Sequence, residues 1–157
     1  MFDYSKQTCG VTGTGNISAI QHEQVKQQLE KEIELALKKG FRHFFLGLSG
    51  ESGILFGQAI LDVKRDYNDA SFEILLPYRG WVKEQAQSEQ INTLLQKSNG
   101  IHYACETKFE DYQFVMNNQL IDICNRIIVV YDEKDEESTS LVQIARDIEI
   151  TVHEVKL

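Results

Sequence analysis

The sequence predicts an α/β fold of the Rossmann-like, doubly wound type, with a mostly parallel sheet and helices on both faces. Short apolar runs alternate with longer segments of helical periodicity, which is the order that parallel strands and crossover helices produce. The run RIIVVYD (126–132) is typical of a strand buried on both faces of such a sheet. No linker, repeat or low-complexity tract divides the 157 residues, so a single domain over 1–157 is expected.

The first half of the chain contains three predicted strands, which cover 7–13, 43–50 and 71–78. The third strand stops at the only proline, Pro77, because a missing N–H interrupts the ladder. Helices are predicted between these strands, over 20–40 and 53–67. In the first helix, apolar residues recur every four positions, and Gly40 follows a lysine-rich last turn as a stop signal.

The second half of the chain continues the alternation. Its predicted helices cover 82–98, 110–125 and 139–147, and its predicted strands cover 101–107, 126–132 and 148–157. The acidic run KDEEST (134–139) is interpreted as a solvated loop, in which Ser138 or Thr139 caps a helix that begins near Leu141. A corner capped in this way is not expected to bind phosphate.

Composition narrows the class of partner. A formal net charge of −8 and a pI near 5.0 argue against nucleic acid and favour a small ligand or a protein partner. No apolar run approaches the roughly 18 residues of a membrane span, and the N-terminus lacks the order of a signal peptide. We therefore expect a soluble, cytoplasmic protein with no membrane partner. Self-association is compatible with this fold, but no surface for a homo-oligomer is specified.

The cysteines and histidines form no recognisable site. Cys9, Cys105 and Cys124 are far apart and lack a CxxC pair, so buried or half-buried thiols are expected rather than disulfides or zinc ligands. The four histidines show neither HxxxH nor HExxH spacing, so no metal site is expected. The sequence specifies no cofactor.

Ligands of doubly wound folds bind beyond the carboxyl ends of the strands, which directs attention to the turns. In TGTGN (12–16), Gly13 and Gly15 allow close backbone approach, while Thr12 and Thr14 supply hydroxyls that could bond a phosphate beside the next helix. The spacing does not give GxGxxG, the dinucleotide fingerprint. The alternative is that a strand-to-helix turn needs small residues in any case.

The turn after the second predicted strand, SGESG, favours an anion site more strongly. It places Ser49, Gly50, Glu51, Ser52 and Gly53 where a helix begins. A helix N-terminus with free N–H donors attracts anions, and these glycines leave the donors unhindered. The turn lacks the lysine and hydroxyl of a P-loop, so ATP hydrolysis by that route is not indicated.

The third predicted strand ends in the segment PYRGW (77–81), in which aromatic and cationic side chains come after Pro77. Tyr78 and Trp81 flank a strand end where an adenine could stack, although aromatic residues there also serve as a lid on the core. Arg79 is the nearest cation to this position. The turn after the strand at 126–132 adds three candidate polar groups, which are Asp132, Ser138 and Thr139.

Several segments in order resemble the YpsA-like branch of the SLOG superfamily over nearly the whole chain. They are CGVTG, LSGESG running into a helix that ends VKRDY, ILLPY followed by Trp81, and MNNQLIDICNRIIVVYD. The resemblance implies a Rossmann-like fold related to the DprA domain and the LOG enzymes. It also implies a nucleotide or a nucleotide derivative as the ligand, with no settled reaction for this branch.

Compared residue by residue, the resemblance is partial. Ser49, Gly50 and Gly53 match the family's SG..G turn, and Asn117 and Asp122 match a later motif. The family usually has a basic residue where this chain has Thr14 and Gly15, and an acidic residue where it has Leu55. It usually has arginine at the position of Met116 and Gly-Gly-Thr at 137–139. These departures remove cations and glycines that would hold a phosphorylated ligand.

Three functional hypotheses follow. The first is a protein that binds a nucleotide or nucleotide-like molecule where these turns meet and does not catalyse its conversion. The second is N-glycoside cleavage of the kind seen in LOG relatives, for which the arginine and the PGGxGT-type signature with its downstream glutamate are absent. The third is a fold that has lost its ligand and acts as a protein-interaction module.

Overall fold

Six strands form one sheet in a computed structural model that describes residues 8–13 and 17–157. The strands are β1 (Thr8–Gly13), β2 (His43–Gly47), β3 (Ser71–Tyr78), β4 (Ile101–Cys105), β5 (Arg126–Tyr131) and β6 (Thr151–Lys156). They are parallel throughout and lie in the order β4-β3-β2-β1-β5-β6. The predicted Rossmann-like α/β fold is therefore confirmed.

Five helices connect the strands: α1 (His22–Lys38), α2 (Glu51–Lys64), α3 (Ser88–Lys97), α4 (Tyr112–Ile123) and α5 (Glu136–Asp147). The apolar side chains form two cores, one on each face of the sheet. Helices α1, α2 and α3 cover the first core, and α4 and α5 cover the second. None of the described helices combines the length and the apolar content that a membrane crossing requires.

Strand β5 shows why the sheet is buried on both faces. Its side chains alternate, with Ile128 and Val130 in the first core and Ile127 and Val129 in the second. All four are fully buried. Because successive side chains of a strand point to opposite faces, a strand that is buried on both faces needs apolar residues at every position, as the sequence predicted.

Two predicted helix boundaries are wrong. The helix expected over 82–98 is instead a 3-10 turn at Val82–Glu84 followed by α3, because Gln85 adopts an extended backbone. Burial of Trp81 and a hydrogen bond from Gln85 Nε2 to the Trp81 carbonyl (3.2 Å) hold this turn apart from the helix. Helix α5 begins at Glu136 rather than near Leu141.

The order in which strands are added to the sheet reverses between β1 and β5. Strands β1 to β4 are added outward on one side, and α4 then returns the chain to β5 on the other side. At this switch point Gly13 has a φ of +152°, and a Cβ there would lie 2.4 Å from the Val130 carbonyl oxygen. Only glycine allows the two strand ends to approach so closely.

A polar cluster lies at the amino end of three neighbouring strands. Glu73 on β3 contacts His43 Nε2 on β2 at 2.5 Å and His102 Nε2 on β4 at 2.7 Å, one histidine on each carboxylate oxygen. The other nitrogen of His43, Nδ1, lies 2.6 Å from Ser71 Oγ. Burial raises the pKa of Glu73, but the hydrogen bonds from His102 and His43 outweigh it, so the pKa lies below its usual value.

Replacing Glu73 with glutamine is expected to lower the free energy of unfolding by about 1 kcal/mol at neutral pH, because two hydrogen bonds to a charged carboxylate weaken. A folded-state pKa below the unfolded value stabilises the fold above the unfolded pKa, and this contribution disappears as the pH falls through the folded pKa. Urea denaturation at stepwise pH from neutral to acidic should show the difference between wild type and Glu73→Gln shrinking below the usual glutamate pKa of 4.5. A difference that grows with acidity would contradict this assignment.

Candidate functional site

The carboxyl ends of all six strands lie at one edge of the sheet, because every strand is parallel. The switch point between β1 and β5 lies at this edge, where ligands of open α/β sheets bind. The turns that the sequence singled out follow β1, β2, β3 and β5, so all of them emerge here. Thr14 and Gly15 of the first turn lie outside the described residues.

The start of α2 provides a group of backbone donors. Gly50 is the N-cap residue in an extended conformation, with φ −176° and ψ −168°, and no side chain caps this end. The Gly53 N–H donates to the Gly50 carbonyl at 3.1 Å. Among the described residues, the N–H group of Ser52 has no acceptor. An uncapped helix start of this kind favours an anion.

Close packing fixes the position of this helix start. A Cβ on Gly53 would lie 2.9 Å from Leu48 Cα and closer still to Leu48 Cδ1, so the first turn of α2 rests directly on the end of β2. Leu48 itself is fully buried, and its N–H donates to the Leu75 carbonyl on β3 at 3.0 Å. The donors are therefore held by the core.

A hydrogen-bonded chain joins this turn to α4 on the opposite face of the sheet. Ser49 Oγ donates to Gln113 Oε1 at 2.7 Å, and Gln113 Nε2 donates to Asn117 Oδ1 at 3.0 Å. Asn117 is only 9% exposed. The structure thus brings together Ser49 and Asn117, two predicted site residues that are far apart in sequence. Gln113, which links them, was not predicted.

On β1, Thr12 is buried at the strand end next to the switch point. A Cβ on Gly47 of the neighbouring strand would lie 3.1 Å from Thr12 Oγ1 and 3.3 Å from Leu120 Cδ1. The hydroxyl of Thr12 therefore lies beside Gly47 of β2, on the face of the sheet that α4 covers. Its neighbour Gly13 supplies the close approach of β1 to β5.

The aromatic residues at and just after the end of β3 pack inward. Tyr78 and Trp81 are 4% and 3% exposed and belong to the first core, with Pro77 also buried. Tyr78 donates from its hydroxyl to Glu84 at 2.7 Å, and this bond, with burial, raises the pKa of Tyr78 to about 12. Its ring meets that of Tyr112 edge to face, with centroids 5.9 Å apart. This placement favours the lid on the core over an adenine platform.

Arg79 is exposed but not free. Its Nε lies 2.7 Å from Glu106 Oε2, and its guanidinium lies 4.5 Å from the centroid of the Tyr103 ring. The hydrogen bond to Glu106 raises the pKa of Arg79 above its usual value. The cation predicted for this edge is therefore partly neutralised by a neighbouring carboxylate.

The polar residues after β5 build a turn. The Asp132 carboxylate accepts from the Lys134 N–H at 3.0 Å, and the Asp135 N–H donates to the Asp132 carbonyl at 2.9 Å. Ser138 and Thr139 do not cap α5, because the helix begins at Glu136 and both residues lie inside it. Their hydroxyls donate to carbonyls of the preceding turn. The predicted capping role of these two residues is wrong.

The comparison with known families matches this arrangement over most of the chain. The family model YpsA, described as the YspA SLOG family, matches residues 14–151. The chain belongs to this SLOG family. No curated protein matches it. The family assignment confirms the resemblance drawn from the order of the segments, and the match includes the α2 turn, α4 and the β5–α5 turn.

Two of the three thiols of this SLOG protein belong to its cores. Cys9 and Cys124 are buried, Cys105 is half-buried, and all three are free. Burial raises the pKa of Cys9 to about 12 and raises that of Cys124 well above its usual value. Both are therefore neutral thiols at physiological pH and poor nucleophiles. Across residues 8–13 and 17–157, no three His, Cys, Asp or Glu side chains converge on a metal position.

Two hollows lined by described residues lie near this edge, one on each face of the sheet. One, of about 260 Å³, lies beside the first turns of α2 and is lined by His22, Ile54, Leu55, Gln58, Gln87 and Gln90. The other, of about 130 Å³, lies between α4 and α5 and includes Asn117 in its wall. The hydrogen-bonded chain from Ser49 reaches the second hollow.

Proposed function

We propose that this SLOG protein binds a nucleotide or a nucleotide-derived small molecule at the carboxyl edge of its sheet, without turning it over. The observation that carries the proposal is the uncapped first turn of α2, where the Ser52 N–H lacks an acceptor among the described residues. The turn is held rigidly against Leu48, and Ser49 connects it to Asn117. A phosphate is the anion that such a turn accommodates best.

The charge of the chain favours a ligand with few negative charges. The net charge is −8, and Arg79, the cation predicted for the turn after β3, is paired with Glu106. Backbone donors alone neutralise less charge than a lysine or arginine clamp. We therefore expect monophosphates to bind more tightly than triphosphates, with the difference largest at low ionic strength, where repulsion is least screened.

Binding without turnover agrees with the positions of two thiols and two histidines. The buried Cys9 and Cys124 are held as neutral thiols. His43 and His102 are hydrogen-bonded to Glu73 near the amino end of their strands, opposite the proposed site. General acid–base catalysis requires such a group within hydrogen-bond reach of the reacting atoms.

A thermal-shift screen with AMP, ADP, ATP, NAD, ADP-ribose and cyclic nucleotides tests the proposal. A ligand at about 100 times its Kd stabilises the native state by about 2.7 kcal/mol, which raises the Tm of a domain of this size by several degrees. We expect a saturable rise with AMP or ADP-ribose and a smaller one with ATP. No rise with any of these ligands at millimolar concentration would refute the proposal.

Chromatography of the ligand after incubation separates binding from turnover. We expect AMP to be recovered intact. Release of free adenine and ribose 5-phosphate would instead indicate N-glycoside cleavage, the reaction of the LOG relatives.

A further inference from the structure

The groove between α4 and α5 has the size and surface of a site for a single flat ring. Its walls include Phe114, Asn117, Asn118, Ile121, Glu136 and Leu141. Its volume of about 130 Å³ is smaller than a pocket for a whole drug-sized ligand, which starts at about 300 Å³. The groove therefore fits one part of a larger molecule whose remainder lies outside it.

One wall of the groove carries an exposed aromatic ring. Phe114 is 60% exposed on α4, although the adjoining Ile121 and Leu141 are buried. An exposed phenylalanine beside an apolar floor offers its face to another planar ring. The apolar part of the groove thus favours a nucleobase over a sugar or a phosphate.

The polar groups in the groove form a specific pattern of donors and acceptors. Asn117 Oδ1 accepts from Gln113, while its Nδ2 has no hydrogen-bond partner among the described residues, which leaves both N–H donors of this amide. Asn118 Nδ2 donates to the Phe114 carbonyl at 2.9 Å, which leaves the Asn118 amide oxygen as an acceptor. The Glu136 carboxylate adds further acceptors.

This pattern matches a base that carries an exocyclic amino group beside a ring nitrogen. The ring nitrogen accepts from an amide donor, and the amino group donates to an amide oxygen or a carboxylate. Adenine and cytosine have this edge. Hypoxanthine and uracil replace the amino group with a carbonyl, which would face the oxygens of Asn118 and Glu136 without a hydrogen atom between them.

The groove and the α2 turn are connected. Asn117 in the groove wall is joined through Gln113 to Ser49, the residue before the N-cap of α2. We propose that the α4–α5 groove is the base subsite of the ligand and selects an amino-bearing nucleobase, while the phosphate lies at the start of α2. This inference rests on the proposed function, because it assigns the base of that same ligand.

Isothermal titration of matched ligand pairs tests the subsite. We expect AMP to bind at least about fivefold more tightly than IMP, and CMP more tightly than UMP, because each pair differs by amino against carbonyl. Phe114→Ala should weaken AMP binding by about tenfold or more.

Glu136→Gln should reduce the preference for AMP over IMP. Phe109→Ala, which removes another ring that is 49% exposed but lies outside the groove, should change neither value.

Binding of ribose 5-phosphate, measured by amide chemical shifts, separates the phosphate site at α2 from the base subsite in the groove. It carries the phosphate without a base, so Phe114→Ala should leave its binding unchanged. Equal affinities for AMP and IMP, or an AMP affinity that Phe114→Ala leaves unchanged, would overturn the base subsite. Binding of ribose 5-phosphate under those conditions would leave the proposed function intact, whereas binding of none of these ligands would overturn both.

Discussion

Replacing Gly13 with alanine is expected to lower the free energy of unfolding by about 3 to 5 kcal/mol, since overpacking and backbone strain both contribute. A Cβ at this position would lie 2.4 Å from the Val130 carbonyl oxygen and 2.7 Å from the Val130 nitrogen. These are backbone atoms of β5, which cannot rotate away. The φ of +152° adds strain for any residue with a side chain.

Gly40→Ala is the matched control for this substitution. Gly40 also has a positive φ, +101°, but a Cβ there meets nothing within 4 Å. Alanine at Gly40 should therefore carry backbone strain alone, about 1 kcal/mol, and any further loss at Gly13 reports the contact with Val130. Urea denaturation measures both variants. Equal losses of stability would show that β1 and β5 do not meet as described.

Gly50→Asp is expected to weaken nucleotide binding by at least about tenfold, or 1.4 kcal/mol, while leaving the fold intact. The extended backbone of Gly50 accepts any residue, and aspartate is a favoured N-cap, so stability should be unchanged or slightly raised. The new carboxylate would accept the N–H groups at the start of α2 and repel a phosphate there. The same change thus separates stability from binding.

Gly50→Asn provides the neutral counterpart of the same shape. It can also cap the helix, but it adds no negative charge, so binding should weaken less than in Gly50→Asp. Isothermal titration with AMP gives both affinities, and thermal unfolding without ligand checks the fold. If both variants bind AMP as wild type does, the phosphate does not lie at this helix start.

The alternation of apolar runs and helical segments was sufficient to predict the fold, because each strand and helix has its own local pattern. The boundaries were less predictable where tertiary contacts decide them. The 3-10 turn before α3 depends on the burial of Trp81 in the first core, which the local sequence does not show. The early start of α5 follows the local turn that the Asp132 carboxylate closes with the Lys134 N–H, which the acidic composition of this segment concealed.

The candidate site was predictable only in part. The SGESG turn was identified from its glycines and serines, and Asn117 from the family resemblance. Gln113 was missed because its role depends on the crossing of α4 over the end of β2, which helical periodicity does not reveal. Phe114 lies beside the groove and is largely exposed, a position that its apolar side chain alone does not predict.

Polar and charged contacts inside the sheet were also beyond local patterns. Arg126 opens the apolar run of β5 and is fully enclosed, with its guanidinium 5.6 Å from the centroid of the Phe41 ring. The three-strand contact of His43, Glu73 and His102 requires the register of β2, β3 and β4. Side chains distant in sequence meet only once that register is fixed.

The central claim is that a phosphate-bearing ligand lies at the uncapped start of α2. An NMR titration of the isotopically labelled protein with AMP tests it most directly, because each backbone amide reports its own environment. We expect saturable shifts that are largest for the N–H groups of Glu51 and Ser52 and that are lost in Gly50→Asp. Saturable binding that leaves these amides unshifted, with its largest shifts elsewhere, would contradict the account.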